Sequence, residues 1–479
     1  MAEEIIHVVM LPWSAFGHLM PFFKLSIALA KAGVHVSYIS TPKNIQRLPK
    51  LPSNLLHLID LVEIPLPSLN TNLFPKGAEA TMDIPFDKIR YLEEAYDQLQ
   101  HPVRKLVSNW LPNWIICDYN PHWIVEIAQE FHVKLIYYSV VSAATLVFLG
   151  PPSNTMKSRF SLESLTSPPK WVTFPSSVAY KRNEAVAFFN SVHQETGSEV
   201  SGIERLVKVI CAAKAVICCS CYEIEGEYLN LYEKLVGKPV IPIGLLPVET
   251  PQPQREKLYG SGPGSGSGSR TGSESAIFEW LDKQETKSVV FVGFGSECKL
   301  SKEQVLEIAY GLEASKLPFL WGLRKPDGAC NDQDFLPIGF SERTCERGLV
   351  CMGWIPQQEI LAHPSIGGSL FHSGWGSAIE TLQFENNLVV LPFIVDQPLN
   401  ARLLVDKGLA IEVKRNEDGT FTRYEIAKSL RHAMVLEEGE ELRVKTSEAA
   451  AIVGNLKLHQ DHYIAEFVKF LKNRIKKEI

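Results

Sequence analysis

Short apolar runs alternate along the chain with longer stretches whose apolar residues return every three or four positions. An apolar run at 5–11 is followed by a turn at 12–17, a helical pattern at 20–31 and a second apolar run at 34–39. The same order recurs as a strand at 114–117, a helix at 123–131 and a strand at 134–138, and the runs at 213–219 and 239–243 extend it. Strand, helix and strand joined by short connections predict a parallel sheet with crossover helices. The second half repeats this rhythm with a helix at 276–281, strand 288–292, helix 302–314 and strands 318–323 and 349–352. Helix 401–407, strand 411–413 and helices 424–435, 440–453 and 462–472 follow. The expected fold class is α/β, with two doubly wound domains and a cleft between them. Ligands in such sheets lie outside the carboxyl ends of the strands.

Two stretches break the rhythm. Residues 151–200 carry paired prolines and several aromatics, and read as an irregular insertion of the kind that forms binding loops. Past Pro247 the composition shifts to VETPQPQ and then GSGPGSGSGSRTGSES, a flexible Gly/Ser tract unlike anything else in the chain. It reads as an engineered replacement for a natural interdomain loop, and it marks a boundary. The domains expected are 1–247, a linker at 248–275, a second domain at 276–455, and a terminal helix at 456–479 that packs back on the first.

Composition narrows the function classes. The 479 residues are 45% hydrophobic and 21% charged with a net charge of −6, which suits two cores and gives no footprint for nucleic acid. The start, MAEEIIHVVMLPW, has acidic residues where a secretory signal needs basic ones, and no apolar run is long enough for a membrane span. A cytoplasmic, monomeric protein is expected. The nine cysteines fall mostly inside apolar runs, and the pair Cys218 and Cys221 lacks a second ligand pair, so free thiols are expected.

The stretch from Trp354 to Gln397 is the richest in candidate chemistry. It opens on a Trp-Pro turn and reaches a glycine turn, HSGWGS, at the start of a helical pattern; a further apolar run at 388–395 ends in Asp396 and Gln397. A helix amino terminus offers N–H groups and partial positive charge to an anion, so a phosphorylated ligand suits the layout. In the other half, His18 is placed in the loop after the first strand, and Asp118 closes another strand of the same sheet. Such a pair works as a base and its orienting partner, and without a GxSxG nucleophile it points to group transfer onto a substrate hydroxyl. Gly293-Phe-Gly295-Ser296 falls short of a dinucleotide fingerprint but suits a phosphate contact. Asp332-Gln333-Asp334 has the form of a metal-binding DxD, yet no strand precedes it, and no metal is expected.

Trp354–Gln397 resembles, without a gap, the signature box of plant family-one UDP-sugar-dependent glycosyltransferases. PWSAFGHLMPFFKLS, WIICDY, KSVVFVGFGSE and DQPLNARLL agree with the family along the rest of the chain, most closely with the branch-forming group that adds a sugar to an existing glycoside. The resemblance implies a GT-B fold with the acceptor in the first domain and the donor in the second. It makes His18 the general base and Asp118 its partner. Trp354 would stack on uracil beside Ile355 and Gln357, and Glu380 would bind ribose. His372, Ser377 and Ser296 would face the diphosphate, and Asp396 and Gln397 the sugar hydroxyls. Trp375 matches users of UDP-glucose, the donor expected, with UDP-rhamnose or UDP-xylose as alternatives. A UDP-sugar co-substrate and a small glycoside acceptor are implied, and no cofactor. Two positions depart from the family: Ser373 stands where Cys is usual, and Gly376 where Asn is usual.

Overall fold

The computed structural model describes residues 5–67, 74–153, 157–193, 200–249, 272–324 and 335–476. The amino-terminal apolar run forms β1 (His7–Leu11), an interior strand of a parallel sheet. The other strands are β2 (His35–Ser40), β3 (Ile59–Glu63), β4 (Trp114–Cys117), β5 (Lys134–Ser139), β6 (Ala215–Cys218) and β7 (Val240–Pro242). Their order is β3-β2-β1-β4-β5-β6-β7, so the chain reverses direction of growth between β1 and β4. Val8, Val9, Met10 and Leu11 are all buried, as expected where helices cover both faces of a parallel sheet.

A second parallel sheet is built from β8 (Val289–Gly293), β9 (Phe319–Leu323), β10 (Gly348–Met352), β11 (Ile366–Phe371), β12 (Asn387–Val390) and β13 (Ala410–Glu412). Its order is β10-β9-β8-β11-β12-β13, with the reversal between β8 and β11. The period-two alternation of β8 feeds two cores. Val290 and Val292 pack with Ile308, Leu312 and Ile426 on one face, while Val289 and Phe291 pack with Phe278, Leu281 and Ile360 on the other. Ser301 and Gln304 form a capping box that starts the helix Lys302–Ser315. Within that helix Gly311 lets Ile426 approach so closely that a β-carbon would stand 2.7 Å from its Cγ2.

The chain divides into two compact units. One comprises Met1–Leu246, Ile394–Leu403 and Leu456–Ile479; the other comprises Pro247–Phe393 and Leu404–Asn455. Residues 394–403, expected within a continuous 276–455 domain, thus belong with the first sheet. The terminal segment joins that unit too: His459 Nδ1 accepts the Leu245 N–H at 3.2 Å, and Gln460 donates to the Ala28 carbonyl at 2.9 Å.

Several expectations are corrected. Residues 151–200 include the helices Leu162–Leu165 and Arg182–His193 rather than irregular chain alone. The apolar run 388–395 leaves the strand at Val390, so Asp396 does not end a strand, and Gln397 opens the helix Gln397–Asp406. Residues 250–271, which hold the bulk of the Gly/Ser tract, and Asp332-Gln333-Asp334 lie outside the described residues. Among the described residues no helix is long and apolar enough to cross a membrane, and no group of three or more His, Cys, Asp or Glu gathers as a metal set. Cys218 and Cys221 are buried free thiols.

Candidate functional site

The reversal between β1 and β4 opens a crevice at the carboxyl ends of the strands, where Leu11 and Cys117 pair in register. Both candidate residues emerge there. Asp118 directly follows β4. His18 lies in the first turn of the helix Phe16–Lys31, not in a loop, because the helix begins four residues before the expected start. His18 Nδ1 stands 2.5 Å from Asp118 Oδ2, with Asp118 1% and His18 23% exposed. Two backbone groups hold the carboxylate: the Trp13 N–H donates to Oδ2 at 3.2 Å and the Tyr119 N–H to Oδ1 at 2.6 Å. A carboxylate so placed only accepts, so the proton sits on Nδ1 and the lone pair of the neutral ring on Nε2. The loop is itself anchored: Arg205, fully buried, bonds Asp97 with both terminal nitrogens and reaches the Asn120 carbonyl at 3.1 Å.

The second unit repeats the arrangement at its own reversal, where Phe371 of β11 pairs with Gly293 of β8. His372 follows β11, and Ser373 turns the chain in the left-handed region at φ 60°, its hydroxyl donating to the His372 carbonyl at 2.5 Å. The helix Trp375–Gln383 then begins from Gly374, with no side-chain cap and no acidic residue in its first turn. Its first N–H groups and positive dipole end therefore suit an anion. At the far end Lys287 Nζ donates to the Phe384 and Glu385 carbonyls, each at 2.8 Å, complementing the dipole.

The His372 ring lies between two glycines. A β-carbon on Gly295 would stand 2.6 Å from its Cε1, and one on Gly374 2.7 Å from its Nε2. The residue is 9% exposed, and burial lowers its pKa from 6.5 to about 4, so the imidazole is neutral near pH 7. A backbone hydrogen bond with Gly293 opposes part of that lowering. Ser296, in the loop after β8, turns its carbonyl to the Arg324 guanidinium.

Along the same unit, Trp354 is 70% exposed at the turn before the helix Gln357–Leu361. Ile355 packs over Gly322, where a β-carbon would meet its Cδ1. Gln357 and Gln358 donate their amides to the two oxygens of Glu380 at 3.1 and 2.8 Å. Ser377 and Glu380 lie on the helix Trp375–Gln383, as does exposed Gly376, where an added β-carbon meets nothing within 4 Å.

Asp396 and Gln397 sit in the first unit, in the same compact body as His18. Asp396 Oδ2 accepts from Asn400 Nδ2 at 2.8 Å, and Gln397 Oε1 accepts from the Ile394 N–H at 3.0 Å. Burial raises the Asp396 carboxyl above its usual range, while the Asn400 bond, a backbone N–H and the charge of His18 act against that rise.

The candidates thus fall into two groups. His18, Asp118, Asp396 and Gln397 share the first unit; Ser296, Trp354, Ile355, Gln357, His372, Trp375, Gly376, Ser377 and Glu380 share the second. Sequence reasoning passed over Gln358 and Asn400, and took the glycines around His372 for a turn and a phosphate contact. Asn400 stands four residues after Asp396, the spacing of one helix face, and that signal was available.

Residues 272–438 match the family described as UDP-glucoronosyl and UDP-glucosyl transferase. Soyasaponin III rhamnosyltransferase of Glycine max is 39% identical over 98% of this chain and 96% of its own length. UDP-glycosyltransferase 91A1 of Arabidopsis thaliana is 40% identical over 97% and 96%. In three dimensions, the structure of Glycyrrhiza uralensis UGT73P12 complexed with glycyrrhetinic acid 3-O-monoglucuronide superposes with a TM-score of 0.78 at 22% identity, over 99% of this chain and 97% of that one. The two doubly wound sheets are those of the GT-B fold. Near-complete coverage at about two residues in five places the chain in the plant UDP-glycosyltransferase family, an enzyme family whose co-substrate is a UDP-sugar.

Proposed function

We propose that the enzyme transfers glucose from UDP-glucose to a hydroxyl of a small glycoside, with inversion at the anomeric carbon and without a metal ion. The observation that carries this reading is the 2.5 Å His18–Asp118 pair at the reversal of the first sheet. Nε2 of His18 takes the proton of the acceptor hydroxyl as its oxygen forms a bond to the anomeric carbon. The bond from that carbon to the diphosphate oxygen breaks, and UDP leaves with the electron pair. Asp118 stabilises the imidazolium that results. General-base catalysis of this kind is worth roughly 10²–10⁴-fold.

In this reading the leaving diphosphate meets neutral His372 as an N–H donor, the hydroxyls of Ser377 and Ser296, and the amino terminus of the helix Trp375–Gln383. Trp354 stacks on uracil beside Ile355, and Glu380, held by Gln357 and Gln358, accepts from the ribose hydroxyls. Trp375 lines the start of that helix. Asp396 and Gln397 bind the sugar. A glycoside acceptor is supported by the monoglucuronide in the Glycyrrhiza uralensis structure and by the PW…GH and DQPLNARLL stretches. A second reading, UDP-rhamnose as donor, is favoured by the relative named as a rhamnosyltransferase.

The test is UDP release measured for UDP-glucose, UDP-rhamnose and UDP-xylose against aglycones and their glycosides, with the product anomer read by proton NMR. Acceptor-dependent release from UDP-glucose with glycosides, lost in His18→Ala, is the expected result. Turnover of aglycones alone, retention of configuration, or full activity in His18→Ala would overturn the reading.

A further inference from the structure

We propose that Asn400 is a positioning residue for the donor sugar, fixing the Asp396 carboxylate through a buried hydrogen-bond chain anchored on Ser142. The proposal rests on the reading that Asp396 binds sugar hydroxyls. Asn400 is fully buried in the first turn of the helix Gln397–Asp406. Its Nδ2 donates to Asp396 Oδ2 at 2.8 Å, and its Oδ1 accepts the Ser142 hydroxyl at 2.7 Å. The direction is unambiguous, because the carboxylate only accepts and the amide nitrogen must face it. Ser142 is in turn fixed as the N-cap of the helix Ala143–Leu149, where its oxygen accepts the Thr145 N–H at 3.2 Å.

The segment around Asp396 is pinned from other sides within the same unit. Tyr180 donates its hydroxyl to the Val395 carbonyl at 2.8 Å, and buried Arg402 pairs with buried Glu184 at 2.6 Å. With the backbone held, the side-chain bond from Asn400 decides which carboxylate edge is left for a ligand. It also opposes the effect of burial, which disfavours the ionised acid.

The experiment compares the Kd of UDP with that of the transferred UDP-sugar, by calorimetry without acceptor, in wild type, Asn400→Ala, Asp396→Asn and the double variant. UDP carries no sugar, so it reports everything except the contact in question. Asn400→Ala is expected to weaken the UDP-sugar about ten-fold while UDP stays within about two-fold, the scale of a charge-assisted hydrogen bond. The double variant is expected to be no worse than Asp396→Asn, since both act through one carboxylate. Ser142→Ala shows part of the loss and Ser142→Thr, which keeps the hydroxyl, restores it. Equal weakening of UDP and UDP-sugar in Asn400→Ala, or additive losses in the double variant, would overturn the proposal. If Asp396→Asn shifts the ratio and Asn400→Ala does not, the proposal alone fails. If Asp396→Asn leaves the ratio at its wild-type value, the sugar-binding role of Asp396 fails and takes the proposal with it.

Discussion

Gly376→Asn restores the residue usual in the family, and the structure says what it will meet. The position is exposed in the first turn of the helix Trp375–Gln383, and an added β-carbon encounters nothing within 4 Å. The substitution therefore brings no steric cost, and replacing glycine in a helix adds a few tenths of a kcal/mol of stability. An amide donating to a diphosphate oxygen contributes about 1.5 kcal/mol, the low end for a charged partner because the site is exposed to water. Immobilising the side chain costs about 0.5 kcal/mol. The remaining ~1 kcal/mol corresponds to roughly five-fold tighter binding. Calorimetry is expected to show this gain for UDP and the UDP-sugar alike, with a matching fall in donor KM and little change in kcat. Gly376→Ala is the control, since it fills the same space without a donor. If Asn binds UDP no tighter than Ala does, the diphosphate does not lie over this helix end and the reasoning is wrong.

Three further outcomes follow from the geometry. Asp118→Asn keeps an acceptor for His18 Nδ1 but loses the charge that stabilises the imidazolium; kcat should fall roughly 10²-fold or more with UDP affinity unchanged, and an unaffected kcat would remove Asp118 from the mechanism. Gly295→Ala forces a β-carbon into a left-handed position at φ 69° and against His372, so both the Tm and UDP affinity should drop; normal UDP binding would show that the ring is not clamped. Buried His372 has a pKa of about 4 against 6.5 when unfolded, so the folded form takes up its proton less readily. Its contribution is fully present above pH 6.5 and is lost as pH falls toward 4, by at most roughly 3 kcal/mol. Urea midpoints at pH 7 and 4.5 should therefore differ less in His372→Gln than in wild type, and identical acid sensitivity would refute the assignment.

Where local pattern and burial coincide, the elements were readable in advance. The strand Trp114–Cys117 and the helix Glu440–Val453 fall on the residues expected from their apolar periodicity. β3 was missed because it is an edge strand whose apolar residues are interrupted by exposed Asp60 and Glu63. The helix Phe16–Lys31 was begun late because Gly17 carries turn chemistry and Pro21 suits a first helical turn, whereas the structure carries Pro21 inside the helix. Most of the proposed donor-side residues could be named because they lie along one continuous stretch, Trp354–Gln397, with His18, Asp118 and Ser296 outside it. The supports could not. Ser142 and Asn400 are 258 positions apart, and nothing near either residue announces the other. The glycines beside His372 likewise signalled turns, whereas their use is to leave room for a ring.

The return of Ile394–Leu403 to the first unit changes what a hybrid enzyme would inherit. A chimera joined once near Pro247 would take Asp396, Gln397 and Asn400 from one parent and Ser142, Tyr180 and Glu184 from the other, separating partner segments that bond one another in this chain. A graft with crossovers after Phe393 and after Leu403 keeps them in one lineage. With the sugar held by Asp396 and Gln397 as proposed, such a hybrid should follow its amino-terminal parent in sugar preference and its carboxyl-terminal parent in nucleotide affinity.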